Sequence, residues 1–167
     1  LRVEMTSTGE VACFGSDVSE AFLKSIISTG VKLPKNSVFL SLAGEGNKIK
    51  FLPSAKLLAG MGLKIYATAG TTAFLKSNGI AAKMLYKIHE RKKPNVLDYL
   101  LAKKIDLVIN IVDPYFKREF DDDYLIRRAT IDYGVPILTN MQTAELFAKA
   151  ISEKSLSDLK ALPWSAY

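Results

Sequence analysis

The stretch Lys64-Ile65-Tyr66-Ala67-Thr68-Ala69-Gly70-Thr71-Thr72-Ala73-Phe74-Leu75 decides the fold. Lys64 to Ala67 reads as a short buried strand. A Thr/Gly turn follows, and a helix runs from Thr71 to Ser77 with Asn78-Gly79 as its stop. The same unit recurs on both sides. Val38–Leu42 and Asp106–Ile111 are apolar runs of strand length, each followed by a turn and a helical pattern. Ala82–Ile88 and Val135–Leu138 complete five strands. Continuously apolar strands alternating with amphipathic helices imply a parallel sheet covered on both faces. The expected architecture is α/β, a three-layer α/β/α arrangement with a five-stranded parallel sheet. In such sheets ligands bind beyond the carboxyl ends of the strands.

The helices carry recognisable boundaries. Ser16 or Asp17 suits the cap of a helix running to about Thr29, with Gly30 as its stop. Pro53 fits the first position of a helix reaching Gly62. A fourth helix follows Pro94, and Asp121–Asp123 favour the start of a fifth by complementing its dipole. The last runs from about Gln142 to Ile151. Residues 1–15 read as a lead-in from a preceding domain, 16–152 as one folded domain, and 153–167 as a tail holding Trp164 and Tyr167.

The 167 residues carry 23 basic and 17 acidic side chains and are 49% apolar, which excludes a disordered or low-complexity chain. The lone Cys13 forms no internal disulfide and reads as a small buried hydrophobe, so a cytoplasmic setting is expected. No apolar run reaches the ~20 residues of a membrane span. Arg91-Lys92-Lys93 is the one basic cluster and has no interleaved aromatics. Neither a membrane nor a nucleic acid is therefore an expected partner. No Asp, Glu or His spacing suggests a metal site, and His89 reads as a solvated histidine.

The strand ends supply a cation-and-hydroxyl rim. Lys48 follows strand one, in the glycine-bearing loop Ala43–Lys48. Thr68, Thr71 and Thr72 follow strand two, where a helix N-terminus offers unpaired amides suited to phosphate. Plain helix capping would need only one of these hydroxyls. Lys87 ends strand three. Asn110 ends strand four and suits a base or ribose, or equally nearby backbone. Thr139 ends strand five. This inventory suits a nucleoside monophosphate or another small phosphate ester.

Five segments occur in an order that resembles a known family. They are Ser7-Thr8-Gly9-Glu10-Val11, Ala67-Thr68-Ala69-Gly70-Thr71, Lys87-Ile88-His89-Glu90, Val108-Ile109-Asn110 and Ile126-Arg127-Arg128. The resemblance is to the carboxyl-terminal allosteric domain of the carbamoyl-phosphate synthase large chain, over about Glu4 to Ile151. It implies a methylglyoxal synthase-like, Rossmann-like fold and a non-catalytic role. The resemblance also implies that the domain binds an effector and tunes carbamoyl phosphate synthesis for pyrimidine and arginine biosynthesis. The implied partners are UMP or IMP, the synthetase domains of the same chain, and the glutaminase small subunit. No cofactor is implied in this domain, since ATP, Mg and K belong to the synthetase domains.

Carried over by motif, the resemblance assigns the phosphate to Lys48, Thr68 and Thr71, with Thr72 beside them. It assigns the ribose or base to Lys87 and Asn110, and a neighbouring ornithine border to Thr139. Val112 departs from the bacterial pattern, which has a second polar ligand there. Relatives sensing N-acetylglutamate carry an aromatic residue about where Lys87 stands, so Lys87 favours a nucleotide. Animal pyrimidine-pathway relatives respond to UTP and a phosphoribosyl diphosphate. A methylglyoxal synthase is the enzymatic alternative and shares the Asp113-Pro114 pair. Lys92 stands about where its carboxylate base belongs, and Gly44-Glu45 where its histidine belongs.

Overall fold

A computed structural model describes residues 9, 11–113, 120–163 and 165. Most of the lead-in motif, Pro114, Trp164, Tyr167 and the side chains of Asp121 and Asp122 lie outside the described residues. The elements alternate in chain order. They are α1 (Val18–Ser28), β1 (Ser37–Leu42), α2 (Glu45–Gly60), β2 (Lys64–Ala67), α3 (Ala69–Ser77), β3 (Ala82–Met84), α4 (Val96–Leu101), β4 (Leu107–Ile111), α5 (Phe120–Asp132), β5 (Ile137–Leu138) and α6 (Met141–Glu153).

The five strands form one parallel sheet in the order β3-β2-β1-β4-β5. The α/β expectation therefore holds. The chain steps from β1 to β2 to β3, then crosses back to β4 on the far side of β1. The direction of winding reverses between β1 and β4, and such a switch leaves a crevice at the carboxyl ends of the strands.

Two unequal layers cover the sheet. Strand alternation sends Val38, Leu40 and Leu42 to one side, where they pack with Leu23 of α1, Phe51 and Leu58 of α2, and Phe147 of α6. Phe39 and Val108 face the other side and meet Val96, Tyr99 and Leu100 of α4 and Ile126 of α5. Every residue of β1 and β4 is buried, which is why those two runs are apolar without alternation.

Three boundaries around the carboxyl ends of β1, β2 and β3 differ from expectation. First, α2 begins at Glu45 rather than Pro53, so Pro53 lies inside it. Proline there removes the bond to the carbonyl of Ile49. Ile49 is exposed, so water can reach that group, while Phe51, Ala55 and Leu58 anchor the helix in the core. Gly44, at φ 76°, lets the chain leave β1 and enter α2 at once. Its backbone conformation favours glycine, and a methyl group there would meet Asp113 Oδ2 at 2.6 Å. Second, α3 begins at Ala69, two residues early, so Gly70 and Thr71 lie in its first turn. Third, β3 stops at Met84 and the following chain forms a 3-10 turn over Ile88–Glu90. Glu90 Oε2 closes that turn by accepting from Lys87 N at 2.6 Å.

Candidate functional site

A cavity of about 390 Å3 opens at the carboxyl ends of β1, β2 and β3. That size lies within the range of small-molecule sites. Its floor is the exit of β1, Ser41 to Gly44, and its wall is the start of α3, Thr68 to Thr71. Lys87, His89 and Glu90 close it from the 3-10 turn, and Asp123 of α5 from the opposite side.

The wall and the lysine above it define its chemistry. Thr68 is the N-cap of α3, yet its side chain makes no capping bond. The first intrahelical bond runs from Thr72 N to Thr68 O at 2.8 Å. The amides of Ala69, Gly70 and Thr71 therefore precede the helical ladder and carry the partial positive charge of a helix start. Lys48 rises from the first turn of α2, and its ammonium lies 3.7 Å from where a β-carbon on Gly70 would stand. The Lys48 side chain is 18% exposed and pairs loosely with Glu45 at 3.5 Å. Amides and an ammonium at one spot form an anion cradle.

The hydroxyls divide their labour. Thr71 Oγ1 accepts from Leu42 N at 3.1 Å. It thereby satisfies a β1 amide that has no β2 partner, since β2 has already turned into α3. Thr68 Oγ1 donates to Thr71 Oγ1 at 3.2 Å, which ties the cap to the same point. Thr72 faces away from the cavity, and its hydroxyl donates to Ala67 O at 3.1 Å. One of the three threonines thus serves the backbone alone.

Lys48, Thr68, Thr71 and Lys87 are brought together around this cavity. Asn110 is not among its lining residues. It is fully buried and bonds two side chains of α5: its amide donates to Asp123 Oδ1 at 2.7 Å, and its oxygen accepts from Arg127 Nε at 2.7 Å. Asn110 thus bonds a carboxylate that lines the cavity, one step behind its surface. Thr139 is exposed after β5, at the sheet edge opposite β3, and lies outside the cavity lining.

His89, Glu90 and Asp123 were not among the expected site residues. His89 is exposed, as expected of a solvated histidine, but it stands on the rim. The signal available for Glu90 was its place three residues after Lys87, which makes a local turn. Asp123 had none, because its approach to β4 depends on how α5 packs. Cys13 is half-buried in a separate surface pocket with Phe14 and Leu159. Among the described residues no group of three His, Cys, Asp or Glu side chains could hold a metal ion. No described helix is long and apolar enough to cross a membrane.

Comparison with known proteins adds three findings. The sequence model of the MGS-like domain family matches residues 50–139, more than half of the chain. The chain is 39% identical to the multifunctional protein URA2 of Saccharomyces cerevisiae, over 95% of this chain and 8% of that protein. It is 38% identical to the mitochondrial carbamoyl-phosphate synthase (ammonia) of Homo sapiens, over 97% of this chain and 11% of that protein. Multifunctional protein CAD of Squalus acanthias is 36% identical over 90% of this chain and 7% of its own length. The chain thus spans about a tenth of the relatives it matches. Among solved structures, methylglyoxal synthase from Elizabethkingia anophelis NUHP1 superposes with a TM-score of 0.53 at 18% identity. It covers 70% of this chain and 79% of that one, a likeness of fold.

Proposed function

Because this chain belongs to the MGS-like domain family, we propose that it is the effector-binding regulatory domain of a carbamoyl-phosphate synthase polypeptide. The ligand is a small phosphate ester, with UMP and IMP the leading choices. One observation carries this reading: the uncapped start of α3 lies under the Lys48 ammonium inside a cavity of ligand size. The phosphate meets the amides of Ala69, Gly70 and Thr71 together with Lys48, and Thr68 fixes the edge of that cradle. Lys87 and His89 lie on the rim, where a ribose or base would extend. Asn110 acts one step back, by holding Asp123.

The signal leaves by linkage. An effector that binds one arrangement of the domain better than another shifts the synthetase domains by ~1–3 kcal/mol of coupling. Those domains, in the same polypeptide, and a glutaminase subunit are the partners of this proposal. They carry the chemistry that consumes ATP, and this domain carries none. The cytoplasmic setting is part of the same proposal, beside a relative whose name places that protein in mitochondria.

Calorimetric titration of UMP, IMP and N-acetylglutamate into the chain tests the reading. Saturable heat with a nucleotide is expected, and Lys48→Ala should weaken it about 10–100-fold, the loss of a charge-assisted contact. Binding of N-acetylglutamate with no response to either nucleotide would overturn the nucleotide assignment. Release of phosphate from dihydroxyacetone phosphate at an enzymatic rate would overturn the regulatory role.

A further inference from the structure

The cavity wall opposite the anion cradle ends a chain of three side chains. Asp123 and Arg127 stand four residues apart on α5, so both lie on the face of that helix that meets β4. Asn110 reaches between them from near the end of β4. Its amide nitrogen donates to Asp123 Oδ1 at 2.7 Å, and its amide oxygen accepts from Arg127 Nε at 2.7 Å. A second guanidinium nitrogen of Arg127 donates to the main-chain carbonyl of Asn110 at 3.3 Å. β5 ends at Leu138, opposite Ile109, so the strand ladder stops one residue short of that carbonyl. Arg127 thus grips Asn110 by its side chain and its main chain together. Charge at both ends gives the chain a direction. An amide turned end for end would set its oxygen against the Asp123 carboxylate and its NH2 against the guanidinium, and both contacts would repel. Asn110 is fully buried and Asp123 is 3% exposed, so water neither replaces a lost partner nor screens the charges as it does at the surface. Of the three, only Asp123 lines the cavity.

We propose that Arg127 is a positioning residue for the cavity: acting through Asn110, it holds the Asp123 carboxylate where it accepts from a hydroxyl or N–H on the body of the ligand. The site then prefers a phosphate ester that bears such a donor to phosphate alone. That preference is set two side chains away from the ligand, by a residue that never meets it. Bonds in a buried chain polarise one another, so losing the guanidinium weakens the far end as well as the near one. The proposal rests on the anion-binding reading of the cavity and adds to it the group that the second wall selects.

Titrations of UMP and of inorganic phosphate into the full chain, followed by amide chemical shifts, test it. UMP presents an anion and donors, and phosphate presents the anion alone. Arg127→Met keeps the length of the side chain and removes its donors. It should weaken UMP by about tenfold or more, the loss of a charged partner to a buried amide, and leave phosphate within about twofold. Arg127→Lys restores one charged donor and should recover most of the affinity for UMP. In a chain carrying Asp123→Ala, adding Arg127→Met should cost UMP less than about a further twofold, because residues that act through one group are not additive. Equal losses for UMP and phosphate, no loss for UMP, or additive losses in the double variant would overturn the proposal. Hydrogen exchange of the Asn110 side-chain amide reads the chain without any ligand. It should quicken by about tenfold in Arg127→Met and slow again in Arg127→Lys. Unaltered exchange would overturn the proposal. Binding of neither UMP nor phosphate by the parent chain would contradict the reading of the cavity and this proposal with it, whereas each of the other adverse results overturns this proposal alone.

Discussion

The five α-helix starts whose capping residues the structure describes fall into two groups. Away from the cavity, α1, α4 and α6 each begin at a residue whose side chain accepts from the helix amides. Asp17 serves Glu20 N, Asn95 serves Asp98 N, and Asn140 serves Thr143 N. At the cavity, α2 begins at Gly44 and α3 at Thr68, and neither has a side-chain cap. A side-chain cap contributes ~0.5–2 kcal/mol, so leaving one out costs stability that most helices keep. Among the described helix starts, the two ends that forgo it are the two that face the same space. Where an end is capped its amides serve the fold, and where it is open they are available to a ligand.

Substitutions at the two kinds of end can break this contrast. The largest effect is expected from Thr68→Asp, which supplies α3 with its own carboxylate cap under Lys48. Mononucleotide binding should fall by at least 100-fold in calorimetry while the melting temperature stays level or rises, because the built-in carboxylate occupies the place of the phosphate. A melting temperature that drops together with binding would mean that the α3 start is merely structural. The reciprocal change, Asp17→Ala, should lower stability by about 1 kcal/mol in urea unfolding and leave ligand affinity unchanged.

A smaller effect follows from pH. Glu20 Oε1 meets Lys24 Nζ at 2.7 Å, and Oε2 accepts from both the hydroxyl and the amide of Ser16. Lys24 first, then Ser16, holds its carboxyl down at about 2 against an ordinary 4.5. The folded value lies below the unfolded one. The contribution is therefore complete above about pH 4.5 and disappears as pH falls toward 2. Glu20→Gln should flatten that acid limb of the stability curve and leave the cavity unaffected.

How much of this was legible in the sequence follows from what each residue reports. β1, β2 and β4 lie within a residue of their expected bounds, because burial on both faces writes an unbroken apolar run. The edge strand β3 came out shorter, since Lys83 in its middle is exposed and little apolar pressure sets its length. The start of α2 is not legible, because Gly44-Glu45-Gly46-Asn47 has the composition of a loop and Pro53 that of a first helical residue. Only packing of Phe51 against the sheet overrides both signals.

The same logic separates the site residues. Lys48, Thr68, Thr71 and Lys87 follow strand ends, and parallel topology carries strand ends to one rim whatever the side chains do. Asn110 also ends a strand, but its direction depends on α5, which brings Asp123 and Arg127 to it. That contact spans 13 and 17 residues, and no local pattern encodes it. Thr72 lies next to a true wall residue, yet its hydroxyl folds back on Ala67. Helical geometry decides between neighbours that composition treats alike.

In the proposed function, anion recognition resides in the open start of α3. Amide chemical shifts during a titration with UMP test it residue by residue. Large saturable shifts are expected at Ala69, Gly70 and Thr71, with the capped amides of Glu20, Asp98 and Thr143 unmoved. Shifts absent from all three residues of α3 while UMP still binds would contradict it.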